Sequence, residues 1–179
     1  MRRYLLIASA ITAVLFIGCA TTITTRMVTQ PAPNTIDTQT LLDAVTFVLV
    51  DNGFDIRMVN QSFGLVTTEW RPVNSGSDTA ANILGAFSAG MSGGPMTTYS
   101  RVMMFQIQIT NAGYTLVPKV MRSAKTSSMY GNSSDQNVEY PSADQPEGQL
   151  AEKIIEEINQ LLGLPDTYTW GEKTIEIEW

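Results

Sequence analysis

Two stretches with the period of an amphipathic helix stand among segments that alternate with the period of a strand, and this mixture limits what the chain can fold into. The clearer helix lies near the C-terminus. There Leu150, Ile154, Ile155, Ile158, Leu161 and Leu162 form one apolar stripe, with Glu152, Lys153, Glu156 and Glu157 off it. Asp144 and Glu147 have capping-box spacing, Pro146 is tolerated in the first turn, and Gly163 and Pro165 end the helix. The earlier helix takes Asp37 as N-cap, Ile36 and Leu41 as a hydrophobic staple, and Asn52-Gly53 as its stop. Leu41, Leu42, Val45, Val48 and Leu49 recur along it at helical spacing; residues 45–50 are β-prone, and the caps decide for helix.

The other segments read as strands. Residues 22–30 are rich in threonine and β-branched side chains and stop at Pro31 and Pro33. Residues 54–60 alternate Phe54, Ile56 and Met58 against Asp55 and Arg57, turn at Asn60-Gln61-Ser62, and pair with 64–71 as a hairpin. Residues 99–110 set Met103, Phe105, Ile107 and Ile109 on one face and turn through Asn111-Ala112-Gly113 into 114–122. Pro118 cannot donate a ladder hydrogen bond, which marks that strand as an edge or a bulge. A last strand covers 173–179. Two helices cannot bury their stripes on each other and leave a one-faced sheet bare. The order β-α-β-β-β-β-α-β therefore predicts an α+β two-layer sandwich: an antiparallel sheet of four to six strands with both helices on one face.

The first twenty residues read as an address. Arg2 and Arg3 precede an uncharged apolar run over 4–17, shorter than the roughly 20 residues of a spanning helix. Phe16-Ile17-Gly18-Cys19 follows, and Cys19 is the single cysteine of the chain. This segment resembles the lipobox of bacterial lipoproteins, with Phe16 where leucine is usual. The resemblance implies a signal peptide over 1–18, acylation of the Cys19 sulfur, and one periplasmic domain over 19–179. Acyl chains at about 0.8 kcal/mol per buried CH₂ would hold it on a bilayer. Ala20 and Thr21 lack the aspartate of an inner-membrane retention signal, so the expected site is the periplasmic face of the outer membrane.

Composition narrows the function classes. The chain has 179 residues, 11 Lys plus Arg against 17 Asp plus Glu, and no histidine. An acidic balance of −6 argues against nucleic acid, because phosphate contacts need clustered Lys and Arg. Histidine-dependent triads and histidine metal sites are excluded outright. Nine methionines are scattered rather than clustered, Met103 and Met104 falling on opposite faces of one strand, which fits core filling better than a soft-metal site. Glu69, between Thr68 and Trp70 at a strand end, is the most notable lone carboxylate, but no nucleophile, base and oxyanion site assemble around it. No catalytic residue, metal ligand or cofactor is expected.

Residues 73–98 are rich in Gly, Ser and Ala, with Asp78 as their only charge. They read as a spacer inserted into the meander. Within them Ile83, Leu84 and Phe87 offer a short apolar segment that could dock on a partner. Residues 123–142 read as a polar loop whose Tyr130 and Tyr140 either anchor an interface or pack back on the sheet.

The run 41–70, LLDAVTFVLVDNGFDIRMVNQSFGLVTTEW, resembles the helix–hairpin module of small periplasmic lipoproteins, including the repeated domains of the C subunit of the outer-membrane β-barrel assembly machinery. The shared features are a helix ending in Asn52-Gly53-Phe54, an alternating strand, and Gly64 followed by Val66-Thr67-Thr68-Glu69-Trp70. The likeness covers about a sixth of the chain, with one such unit rather than two. It implies the fold of that module and, with the lipobox, a non-enzymatic accessory or assembly subunit of an envelope complex, partnered by the membrane through its lipid and by another envelope protein. The alternative is a carrier of a lipid or other apolar ligand, held in a cavity lined by residues such as Phe105, Ile107 and Ile158.

Overall fold

The computed structural model describes residues 21–32, 36–73, 81–84, 86, 95–128 and 131–177. In chain order the elements are β1 (Thr21–Pro31), α1 (Thr38–Asp51), β2 (Ile56–Asn60), a 3-10 turn (Gln61–Phe63), β3 (Leu65–Thr68), β4 (Arg71–Pro72), β5 (Met96–Thr110), β6 (Gly113–Ser128), β7 (Gly131–Glu139), α2 (Pro146–Leu162) and β8 (Thr169–Ile177). Residues 81–84 are also helical. The class is α+β, built on an open antiparallel sheet ordered β2-β3-β5-β6-β1-β8, with β4 against β5 and β7 against β6.

Contacts divide the chain into two compact units. The larger, Arg26–Gly171, holds the core. On one face of its sheet, Met103, Phe105, Ile107, Ile109, Leu116 and Val120 meet Leu41, Leu42, Val45, Val48 and Leu49 of α1 and Ala151, Ile154, Ile155 and Ile158 of α2. Burying such side chains stabilises by roughly 1.5–3 kcal/mol each, which is why the two helical stripes and the alternating strands share one layer. Phe54 and Phe105 meet edge to face at 4.8 Å in its middle. In the smaller unit the described residues belong to the outer parts of β1 and β8, where the hydroxyls of Thr24 and Thr174 lie 3.4 Å apart.

Local chemistry accounts for most of the boundaries. Asp37 caps α1 as its sequence position predicts, accepting from the Thr40 amide at 2.8 Å. The β-prone run 45–50 is helical, because Val45, Val48 and Leu49 are needed in the core at helical spacing. α2 begins differently from its expected capping box. Gln145 is the N-cap, but its side chain accepts from the Ser142 amide rather than from the first turn of the helix; Asp144 accepts from the Ser142 hydroxyl, and Glu147 turns away to an arginine. Gly113 has φ +136° and a Cβ there would lie 2.1 Å from the Gln30 carbonyl, so the β1–β6 pairing requires glycine.

Four strand readings change. Met58 is exposed rather than inward, because a bulge between Ile56 and Met58 reverses the alternation. Among the described residues the sheet has eight strands rather than four to six. β5 starts at Met96, so the last three residues of the Gly-rich stretch pair with Lys125–Ser127 of β6. Residues 123–142, expected as a loop, instead finish β6 and form β7, paired from Ser128↔Gly131 to Val120↔Glu139. β7 is exposed along nearly its whole length, so it carries no hydrophobic period to announce a strand. Pro118 sits where the neighbour of β6 changes: the β1 register ends at Leu116 and the β7 register begins at Val120.

Candidate functional site

The β5–β6 hairpin is long enough to outrun the helices. Near its turn β5 and β6 lie under α1 and α2; at the other end β7 joins and the helix-facing side of the sheet is open beside the start of α2. Cross-strand register arranges this shelf in rows. Arg101 faces Arg122, which faces Asn137; the next row sets Tyr99 against Ala124 and Ala124 against Asp135. Partners in register share a face, as do residues two apart, so these six side chains look the same way. With Glu139 they line a pocket of about 260 Å³.

Like charges directly opposite each other on neighbouring strands repel, and each arginine is balanced by its own carboxylate. Arg101 Nη1 donates to Glu147 Oε1 at 2.6 Å, with both side chains close to one-tenth exposed. Arg122 Nε lies 3.0 Å from Glu139 Oε2 in a wetter setting. Asp135 and Asn137 are exposed on β7. The backbone of Tyr99 is clamped by Asn82: the Asn82 amide donates to the Tyr99 carbonyl at 2.9 Å, and Asn82 Oδ1 accepts from the Tyr99 amide at 2.7 Å. One side chain thus stands in for a strand neighbour on the edge of β5.

The residues singled out from sequence fall elsewhere. Phe16, Ile17, Gly18 and Cys19 lie outside the described residues, as does Phe87. Ile83 and Leu84 are 65% and 69% exposed on the helical segment that carries Asn82. Glu69 sits 4.0 Å from Arg57 on the surface, a solvated ion pair. Phe105, Ile107 and Ile158 are fully buried in the core cluster, away from the pocket. Glu152 and Glu156, which lie off the apolar stripe of α2, accept from Trp170 Nε1 at 2.7 Å and the Tyr168 hydroxyl at 3.1 Å, tying the chain after α2 back to that helix. Burial and the bond to Glu156 push the Tyr168 phenol up to about 12, which keeps it a donor. Among the described residues no three Asp, Glu, Cys or His side chains converge as metal ligands, and no helix is long and apolar enough to cross a membrane.

The pocket rows were readable in principle. Counting back equally from Thr110 and forward from Gly113 places Arg101 opposite Arg122 without any structure. β7 was hidden by its polarity, and with it Asp135, Asn137 and Glu139. No protein-family model matches this sequence, and no curated protein matches it significantly.

Proposed function

We propose that this chain is a lipid-anchored, non-enzymatic accessory or assembly subunit of a cell-envelope complex, held at the periplasmic face of the outer membrane through Cys19. The observation that carries this reading is the lone cysteine directly after Phe16-Ile17-Gly18, at the end of an uncharged apolar run headed by Arg2 and Arg3. Ile83 and Leu84, neighbours exposed together on the segment that carries Asn82, support a role in contacts with another protein, since adjoining apolar side chains in water favour association.

Two measurements test it. Intact-mass analysis of the protein purified from membranes should show residue 19 as the acylated N-terminus, and Cys19→Ser should leave an uncut precursor without acyl mass. Crosslinking in native envelopes should return one reproducible protein partner. An unmodified N-terminus removes the anchor, and a strictly monomeric protein removes the assembly role.

A further inference from the structure

We propose that the pocket on the β5–β6–β7 shelf binds a single pyranose unit of a glycan. Its volume of about 260 Å³ lies below the 300–1,000 Å³ typical of sites for drug-sized ligands, which restricts the occupant to about one ring. The floor is made by register. Ala124 stands between Tyr99 and Asp135 in one cross-strand row, and its small side chain leaves a hollow between an aromatic ring and a carboxylate.

Charge then selects the chemistry. Arg101 is engaged by Glu147 and Arg122 by Glu139, so an anionic ligand would have to displace a carboxylate from a formed ion pair. Asp135 adds a further negative charge to the rim, which disfavours phosphate and carboxylate ligands and accepts hydroxyl or amine donors. The side chains of Asp135, Asn137 and Arg122 end in flat groups with paired donors or acceptors, the geometry that meets vicinal hydroxyls. Tyr99, 44% exposed, presents a ring whose electron-rich face attracts the weakly positive C–H groups on one side of a pyranose. The Asn82 clamp fixes the backbone of Tyr99, which sets the point on β5 from which the ring leaves the strand before any ligand arrives. The site uses neither Cys19 nor the residues before it and stands or falls independently of acylation there.

The test is calorimetry and saturation-transfer NMR on the full chain in a detergent without a sugar headgroup. The probes are the methyl glycosides of glucose, galactose and N-acetylglucosamine, with inorganic phosphate as the anionic comparison. At least one glycoside should bind saturably, with magnetisation transferred to its ring protons. Asp135→Ala, on an exposed strand where folding does not depend on it, should weaken binding at least about tenfold, and Ala124→Phe should abolish it by filling the hollow. If no glycoside saturates, if phosphate binds more tightly than all three, or if Asp135→Ala binds as the parent does, the assignment is wrong.

Discussion

The hydroxyl of Tyr114 donates to Asn159 Oδ1 at 2.8 Å inside the core, joining β6 to α2 by a polar bond that no solvent reaches. Asn159 passes the contact on, donating to Gln30 Oε1 at 3.1 Å and to Asp166 Oδ1 at 2.9 Å, while Gln30 donates to the carbonyl of Pro165. Three buried polar side chains thus fix β1, β6, α2 and the segment after α2 to one another. Their energy lies less in the bonds formed than in the cost of leaving any one group without a partner.

Tyr114→Phe should therefore destabilise by about 1–3 kcal/mol, since it strands the Asn159 oxygen while leaving the ring packing intact. Urea denaturation measures it: the midpoint falls while the slope stays constant. An unchanged midpoint would mean that Asn159 finds another donor.

The same phenol gives an alkaline signature. Burial, reinforced by the Asp166 carboxylate, raises the Tyr114 pKa above the ordinary phenol value. A group whose folded pKa is raised stabilises fully below its unfolded pKa, and that contribution is lost as pH rises towards the folded value. Stability should thus decline above about pH 10, the unfolded phenol range, and Tyr114→Phe should flatten that decline. Urea midpoints at a series of alkaline pH values would show it. Tyr168, raised in the same direction, leaves a smaller residual slope in the variant.

The Arg101–Glu147 pair makes an asymmetric prediction. Arg101→Met leaves the Glu147 carboxylate buried without its partner and should cost about 3–5 kcal/mol, whereas pairing it with Glu147→Leu should recover most of the loss. Thermal unfolding of the two single variants and the double variant gives the coupling energy. Additive losses would show that the two side chains act independently.

The Gly-rich stretch can be shortened only within limits that the register sets. Replacing residues 74–95 with a Gly/Ser linker of about six residues, enough to reach back along β5 from the level of Arg101 to Met96, keeps Val73, whose amide donates to the Arg101 carbonyl, and Met96–Thr98, which pair with β6. Hydrogen exchange should then speed up at the Tyr99 amide alone, because Asn82 is gone. Replacing 73–98 with the same linker removes three ladder pairs as well and should open the end of β6 to exchange. Equal protection in both variants would show that these strand residues contribute nothing.

Legibility followed hydrophobic period. α1, α2 and the inward face of β5 could be read because Leu41, Val45, Ile154, Ile158, Phe105 and Ile107 all answer to one core. Met58 was misplaced by a bulge, which adds a residue without leaving a mark in composition. β7 was missed for the opposite reason: GNSSDQNVE has no buried face, and it becomes a strand only because β6 offers it an open edge beyond Pro118. The Gln30, Tyr114 and Asn159 chain escaped notice because isolated polar residues in apolar elements give no sign of which others they will meet.

Pro118 also governs how the sheet transmits force. β5 and β6 run unbroken for 15 and 16 residues, about 50 Å of ladder, while the partner along the outer side of β6 changes at the proline. A pull on the shelf travels along β6 into the helix-covered core without crossing a loop. A pull on β7 passes into its register with β6 and on through residues 140–145 to α2. The hairpin thus carries load from the shelf to the core along two continuous strands, tied to the start of α2 by Arg101 and Glu147, and the proline marks where its outer neighbour changes.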